Sequence, residues 1–406
     1  MNKMYYSILR VLTLHAGRVV HLLTKNSPYM VCLILLIASC EMKPDRNSER
    51  KEAIQAVIDA FASEIEEDLK DDDIGGSISV AIVRKNKIIW ARAFGMADIE
   101  HKLSADTTTI YRTASISKPL TAFLLMQLHL DGIIDLDEPL EKYLPEVKNL
   151  KGYSDATKIT FRHLASHTSG LQREPNLEGA DEGPIEFWEE KILEAIPATS
   201  FQSKPGARYS YSNIGYGLLG LALSRAASKS FLTLVREKIF SPLGMHHSFF
   251  IIPDTLSDRL AKGIDGGPLG QLSFERPTRG HIGRGYKVPN GGIYSTPTDL
   301  GKFMISNMGY GDLLKKENLA LMQTVTEPVE ETWNSGLGFQ LYEDDLLNTV
   351  EHSGFISGYT AYFIFDKKYQ YGVILMRNYN FGATNPLELT TKVLLRKLIE
   401  AERNKR

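Results

Sequence analysis

The stretch "TASISKPLTAFLLMQL", Thr113 to Leu128, sets a serine, Ser115, three residues ahead of a lysine, Lys118, at the mouth of an apolar run. Residues three apart share one face of a helix. Phe123-Leu124-Leu125-Met126 is apolar on every helical face, which predicts a buried helix. Ser115 is placed to start it, and Pro119 falls in the first turn, where its missing N–H costs little. A lysine held there is desolvated, and desolvation favours the neutral amine. A neutral amine beside a hydroxyl is a nucleophile with its base. A second Ser-x-x-Lys, Ser48-Glu49-Arg50-Lys51, lies in a charged stretch with no apolar helix behind it. It has none of this context.

Two other segments carry groups that can handle protons or bind substrate. "RYSYSNIGYGLLG" puts Tyr211 and Asn213 two apart, on the same side of an extended turn, just before another apolar helix. A phenol relays protons, and a carboxamide both donates and accepts hydrogen bonds. "VEHSGFISGYTAYFIF" runs His352-Ser353-Gly354 into the first strand of a C-terminal hairpin, where Gly354 permits close approach of a ligand. Ser353 is a candidate hydrogen-bonding partner for substrate. His163 and His167, four apart, would share a helical face, but no third ligand or acidic partner accompanies them, and no metal or other cofactor is expected.

The elements that must position these groups follow from hydrophobic period. Ile54, Val57, Ile58, Phe61, Ile65 and Leu69 recur at helical spacing and open the domain with an amphipathic helix. "SISVAIVR", a turn at Lys85-Asn86-Lys87 and "IIWARAFG" form a hairpin pattern. "YTAYFIF", a turn around Asp366-Lys367-Lys368 and "YQYGVILMR" form another, followed by the helical "PLELTTKVLLRKLIEAE". Strands at both ends with a mostly helical middle predict an α+β fold, in which one antiparallel sheet drawn from both chain ends carries a helical insertion. The Gly- and Pro-rich region from Gly263 to Gly292 reads as long loops.

Composition narrows the partners. The chain has 406 residues, 43% hydrophobic, with a net charge of -2, enough for a large core and without the charge that nucleic acid demands. No Gly-x-Ser-x-Gly occurs, which removes the α/β-hydrolase elbow. Cys32 and Cys40 are the only cysteines. The apolar stretch Met30 to Ala38 is too short to span a bilayer and has the length of a signal-peptide core, with Lys25 as its basic flank. Ile37-Ala38-Ser39-Cys40 resembles the bacterial lipoprotein box, whose cysteine becomes the lipidated first residue. That resemblance implies a signal peptide over 1–40, a polar tether over 41–51, a folded domain over 52–403 and a lipid anchor in the bacterial cell envelope. No thiol would then remain in the domain for disulfides, nucleophiles or zinc.

Ser-x-x-Lys, Tyr-x-Asn and His-x-Gly, in this order, resemble the serine β-lactamase and penicillin-binding superfamily. The branch nearest in pattern is that of class C β-lactamases, D-alanyl-D-alanine carboxypeptidases and related esterases. "ITFRHLASHTSGL", "PGARYSYSN", "FSPLGMHHSFF" and "NGGIYSTPTDLGKF" add to the likeness, which covers roughly residues 55 to 400. The resemblance implies that Ser115 is acylated, that Lys118 is its general base and that Tyr211 moves a proton to the leaving group. It implies that Asn213 positions Lys118 or the substrate amide, and that the N–H groups of Ser115 and Phe355 form the oxyanion hole. Small peptides or esters are the implied substrates. His352 is the departure, since most β-lactamases of this superfamily have lysine there. Two roles stay open for it: an imidazolium holding a substrate carboxylate, with a pKa of about 6.5, or a neutral hydrogen-bonding group. Weak β-lactamase activity and a penicillin-binding sensor without turnover are the alternatives to a hydrolase.

Overall fold

In "SISVAIVR", strand β1 (Ser77–Arg84), Ile78, Val80 and Ile82 face one side while Ala81 and Val83 face the other, and both rows are buried. Such a strand belongs at the centre of a sheet. On one edge it pairs with β2 (Lys87–Asp98) through a turn in which Lys85 has φ 55. On the other it pairs with β9 (Tyr371–Arg377), Ile78 opposite Arg377 and Arg84 opposite Tyr371.

A computed structural model describes residues 46–266, 271–329, 333–381 and 387–403. Among them the main sheet has nine antiparallel strands. Its order is β3 (Leu103–Ser104), β2, β1, β9, β8 (Tyr359–Asp366), β7 (Asn348–Ile356), β6 (Gln340–Glu343), β5 (Trp333–Ser335) and β4 (Glu327–Val329). Both chain ends therefore contribute to one sheet, the α+β layout anticipated from the hairpins. The hairpin of β8 and β9 gains a preceding strand, β7, that carries His352 to Phe355. Strands β4 to β6 are three or four residues long, too short for alternation to mark them in the sequence.

Helices cover both faces. On one, Ile58, Phe61 and Ile65 of α1 (Arg46–Asp71) and Leu394, Leu395 and Leu398 of α5 (Leu387–Arg403) bury against Val80, Ile82, Val373 and Leu375. Helix α1 begins at Arg46, so the tether expected to reach residue 51 is helical in its second half; Glu49, Arg50, Lys51 and Glu52 are all good helix formers. The lipobox and Cys40 lie outside the described residues. The other face carries α4 (Pro297–Asn307) and the larger core, in which α2 (Ser117–Leu130) and α3 (Asn213–Ala226) lie. Short 3₁₀ turns join these helices. The region expected as long loops holds a two-strand pair, Asp265–Gly266 with Leu272–Ser273, and a helical turn Glu275–Arg279.

Phe363 ties the sheet to this second layer. It is fully buried on β8, with ring centroids 6.0 Å from Phe303 of α4, 6.4 Å from Phe339 and 6.1 Å from Phe365. Phe363→Ala should cost about 3–5 kcal/mol of stability. Urea unfolding of variant and wild type measures it, and a loss below about 1 kcal/mol would show that the two layers are held together elsewhere.

Candidate active site

Ser115 sits in a 3₁₀ turn, Ala114–Ile116, that leads directly into α2 at Ser117. It is the middle residue of that turn, and neither starts nor caps α2, which Ile116 precedes. Ala114 takes φ 48, a left-handed conformation that costs an alanine about 1 kcal/mol or more and needs support from its surroundings. The support is local. Ser117 Oγ donates to Ala114 O at 2.8 Å and accepts from the Ile293 N–H at 3.3 Å, while the Thr113 N–H and Oγ1 donate to Ile293 O at 3.0 and 2.9 Å. Ser115 is half-buried between fully buried neighbours.

One turn on, Lys118 is wholly buried. Its Nζ lies 3.1 Å from Ser115 Oγ and donates to Asn290 O at 3.2 Å. Burial holds this amine well below its ordinary pKa, and the charges of Arg173, Lys287 and Arg284 push the same way, against Glu174. The N–H that points at Asn290 leaves the lone pair of a neutral amine free for the Ser115 hydroxyl proton.

Tyr211 comes from the extended segment before α3. Its hydroxyl is hydrogen-bonded to Ser115, and Lys118 Nζ stands 4.7 Å from its ring centroid. Burial raises its phenol far above the ordinary value, so it is a protonated donor. Asn213, the first residue of α3, makes no hydrogen bond to Lys118: its Nδ2 donates to Glu174 Oε1 at 2.6 Å, and its Oδ1 is buried without a partner. Ser212 caps the helix, its Oγ accepting from the Gly215 N–H at 3.0 Å, and helix entry sends alternate side chains apart. Asn290 meets Lys118 through its main chain. Its carbonyl holds Lys118, and its Nδ2 donates to Asn213 O at 2.9 Å.

The opposite wall is the edge of β7. Strand β6 pairs with it only as far as Glu351, so from His352 to Ile356 this edge carries no strand. The two-residue turn Ser357-Gly358 makes Ile356 and Tyr359 a hydrogen-bonded pair. Pair types alternate along antiparallel strands, so the N–H and C=O of Phe355 and Ser353 point away from β8 toward the nucleophile turn. Gly354 allows the approach, since a Cβ there would stand 2.3 Å from Thr113 O and 3.4 Å from Ala114 Cβ. The N–H of Ser115 lies in the opening turn of a helix, where donors have no intrahelical acceptor, and the Phe355 N–H belongs to the strand edge that faces this turn. Ser353 and the side chain of Phe355 are exposed at the mouth.

His352 is 3% exposed, with its ring 6.4 Å from that of Tyr211 and its Nδ1–H donating to Ser353 O at 2.7 Å. Burial pushes its pKa down to about 3. Of the two roles left open for this residue, burial favours the neutral one. The sequence singled out His167 only as half of a histidine pair without a third ligand, and its part in holding Tyr211 was not foreseen. Its ring stacks on Tyr211 at 4.3 Å, its carbonyl accepts from the Ser210 N–H at 2.7 Å and its Nδ1 from the Ser212 N–H at 3.1 Å. It clamps the tyrosine segment from both sides. His163 belongs to a capping box with Thr160, and among the described residues no cluster of three His, Cys, Asp or Glu side chains is placed to hold a metal. Ser48 lies on α1 with its Oγ donating to Glu52 at 3.2 Å.

The family model described as Beta-lactamase matches residues 61–396. The chain belongs to the β-lactamase family. Beta-lactamase-like protein 2 of Dictyostelium discoideum is 31% identical over 283 residues, covering 68% of this chain and 50% of that protein, so the chain spans about half the length of this curated relative. An octameric penicillin-binding protein homologue from Pyrococcus abyssi superposes with a TM-score of 0.71 at 26% identity, over 84% of this chain and 77% of that one. A D-amino acid amidase from Ochrobactrum anthropi SV3 shares the fold, with a TM-score of 0.69 at 23% identity over 88% and 99% of the two chains. The cleft gathers a neutral amine, a phenol and an imidazole around one hydroxyl, an arrangement in keeping with a serine hydrolase in the broad sense.

A pH experiment follows from His352. With the imidazole neutral down to pH values near 3, KM for a carboxylate-bearing ester and for its neutral counterpart should run in parallel between pH 5 and 8. A rise of about tenfold confined to the carboxylate ester near pH 6.5 would restore the imidazolium reading. His352→Ala should lower kcat for both esters by the same factor.

Proposed function

We propose that the protein is a serine hydrolase that works through an acyl-enzyme on small peptides of D-amino-acid type or on esters. The observation that carries this reading is the 3.1 Å contact of a buried amine with Ser115 Oγ, opposite the free edge of β7. In the reaction, Ser115 Oγ attacks the substrate carbonyl while its proton passes to Lys118. The N–H groups of Ser115 and Phe355 hold the oxyanion, an effect worth about 3–4 kcal/mol for one donor in other enzymes. Collapse expels the leaving group with a proton from Tyr211, which Lys118 replaces. Water then repeats the sequence on the acyl-enzyme, with Lys118 again the base. His352 fixes Ser353 O and offers Nε2 as an acceptor beside Tyr211. Without a permanent cation at that place, penicillin turnover is a weak side activity.

Ser115→Ala should abolish covalent labelling by a fluorophosphonate, while Ser48→Ala leaves it intact. Lys118→Ala should reduce ester turnover by about 10²-fold or more. Labelling that survives in Ser115→Ala would remove the nucleophile. A single acylation of the wild type by p-nitrophenyl esters and D-alanyl-D-alanine peptides, without release, would mark a sensor.

Lipid anchoring at Cys40 in the bacterial envelope is part of the proposal and rests on the sequence Ile37-Ala38-Ser39-Cys40. The bacterially expressed protein should partition into detergent, and Cys40→Ala should leave it unprocessed or released. Unchanged membrane partition of Cys40→Ala would count against the anchor.

A further inference from the structure

Two arginines lie beside the turn that joins β7 and β8, and neither has a partner. Arg112, three residues before the nucleophile, is 1% exposed, and its Nε and Nη2 are buried without an acceptor. Arg284 is half-buried, and its Nε is likewise buried and unsatisfied. Leaving a buried charge unpaired costs several kcal/mol in general. The one aromatic contact of Arg112, 5.4 Å from the centroid of Tyr294, offsets little of that.

The neighbouring groups do not supply the missing charge. Asp181 and Glu174 both act on Arg284 from a distance, but Lys287 takes them, at 2.9 and 3.2 Å. Glu174 also accepts from Asn213 and Tyr286. His281 brings no charge and no spare donor: Tyr359 OH donates to Ala261 O at 2.7 Å and accepts from His281 Nε2–H at 3.2 Å, so Nδ1 accepts from Tyr294 OH at 2.8 Å. Asp265 is held by Ser357 Oγ at 2.5 Å. Of these three carboxylates, Asp181 and Glu174 are thus engaged by Lys287 and Asp265 by Ser357, and none is in contact with Arg112 or Arg284.

The backbone leaves space at this point. A Cβ on Gly280 would stand 2.4 Å from Arg112 Nη1, so glycine there keeps that nitrogen uncovered. Gly280, Gly283 and Arg284 line two adjoining cavities. One, of 240 Å³, opens beside Ser357 at the end of the β7 edge and is lined by Arg276 and Arg279 together with Asp181, which Lys287 holds, and Glu182. The other, of 280 Å³, is walled by Ile185, Phe250 and Ile282.

We propose that Arg112 and Arg284 form an anion subsite that takes a carboxylate, either a free small carboxylate or the substrate's own. Planar guanidinium groups match paired carboxylate oxygens in a way an ammonium does not. Burial and the charge of Arg112 hold the Arg284 guanidinium down at about 9, which a bound anion reverses. A substrate lying along the β7 edge past Ile356 would reach this subsite beside Ser357. The positive charge absent from His352 would then be provided at the other end of the cleft. The subsite itself stands on the two arginines and is independent of the hydrolase reading; only the second half of its test uses turnover.

The purified full chain, heated with increasing sodium acetate against sodium chloride at equal ionic strength, should gain about 2 °C or more in Tm. Arg284→Gln should lose that gain, and it serves if Arg112→Gln fails to fold. No acetate-specific gain, or one that persists in Arg284→Gln, overturns the proposal. The source is read from p-nitrophenyl hemisuccinate against p-nitrophenyl butyrate. If the substrate's carboxylate occupies the subsite, Arg284→Gln lowers kcat/KM for the hemisuccinate about tenfold relative to the butyrate, and acetate competes with the hemisuccinate alone. If a free carboxylate occupies it, the acetate gain is seen and the ratio of the two esters stays as in the wild type. Absence of turnover with either ester would count against the hydrolase reading and leave the Tm result standing.

Discussion

Lys118 has nowhere to put a charge. Its Nζ is enclosed by Ser115, the Asn290 carbonyl and the faces of Tyr211 and Tyr216, with no carboxylate in contact. An isolated ammonium in such a place is costly, and the amine avoids that cost by giving up its proton. Glu174, the one acid in its field, is committed to Asn213, Tyr286 and Lys287 and stops short of forming an ion pair that would restore the charge. The base is therefore created by the packing of α2 into the core. The same packing forces Tyr211 to stay a phenol and His167 and His352 to stay neutral imidazoles. In the proposed reaction the Ser115 proton moves to a neutral amine, so an ammonium and an oxyanion develop together, and the two backbone donors proposed for the oxyanion supply its compensation.

Holding those donors opposite one another depends on close backbone approach. The left-handed Ala114 brings the nucleophile turn out toward β7, and Gly354 lets the strand come up to it. A side chain at position 354 would open the gap by more than the tolerance of a hydrogen bond. Strain at Ala114 is sustained by Thr113 and Ser117, which fasten the turn to Ile293. The positioning of the reactive atoms thus rests on a few buried hydroxyls that never meet substrate.

The sequence conveyed the parts of this arrangement that have short-range signatures. Period-two alternation marked β1 and the β8–β9 hairpin, and the all-round apolar run after Lys118 marked α2, so the sheet built from both ends was legible. Ser115 and Lys118 were legible because helical spacing alone places them together. The contact of Lys118 with Asn290 was not legible, because a backbone carbonyl makes it and only tertiary packing brings that carbonyl to the amine. The part His167 plays was hidden for a similar reason: its stacking on Tyr211 joins segments far apart in the chain. The charge state of His352 depends on enclosure by Lys118 and the strand, which no local pattern records.

The site draws its groups from four separate stretches, around Ser115, Tyr211, Asn290 and His352. Three belong to the helical layer and one to the C-terminal half of the sheet. The strand with His352 and Phe355 is held in place through β8 and β9 to β1, which precedes the nucleophile in the chain. The oxyanion donors therefore come into register only when the ends of the domain have paired. Contacts of such long sequence separation form late, because loop closure must precede them. Before that pairing the Ser115 segment has no opposing strand. The amine of Lys118 is enclosed within the helical layer, whereas the facing edge of β7 reaches the nucleophile turn only through the closed sheet, so the two constraints are met by different parts of the fold.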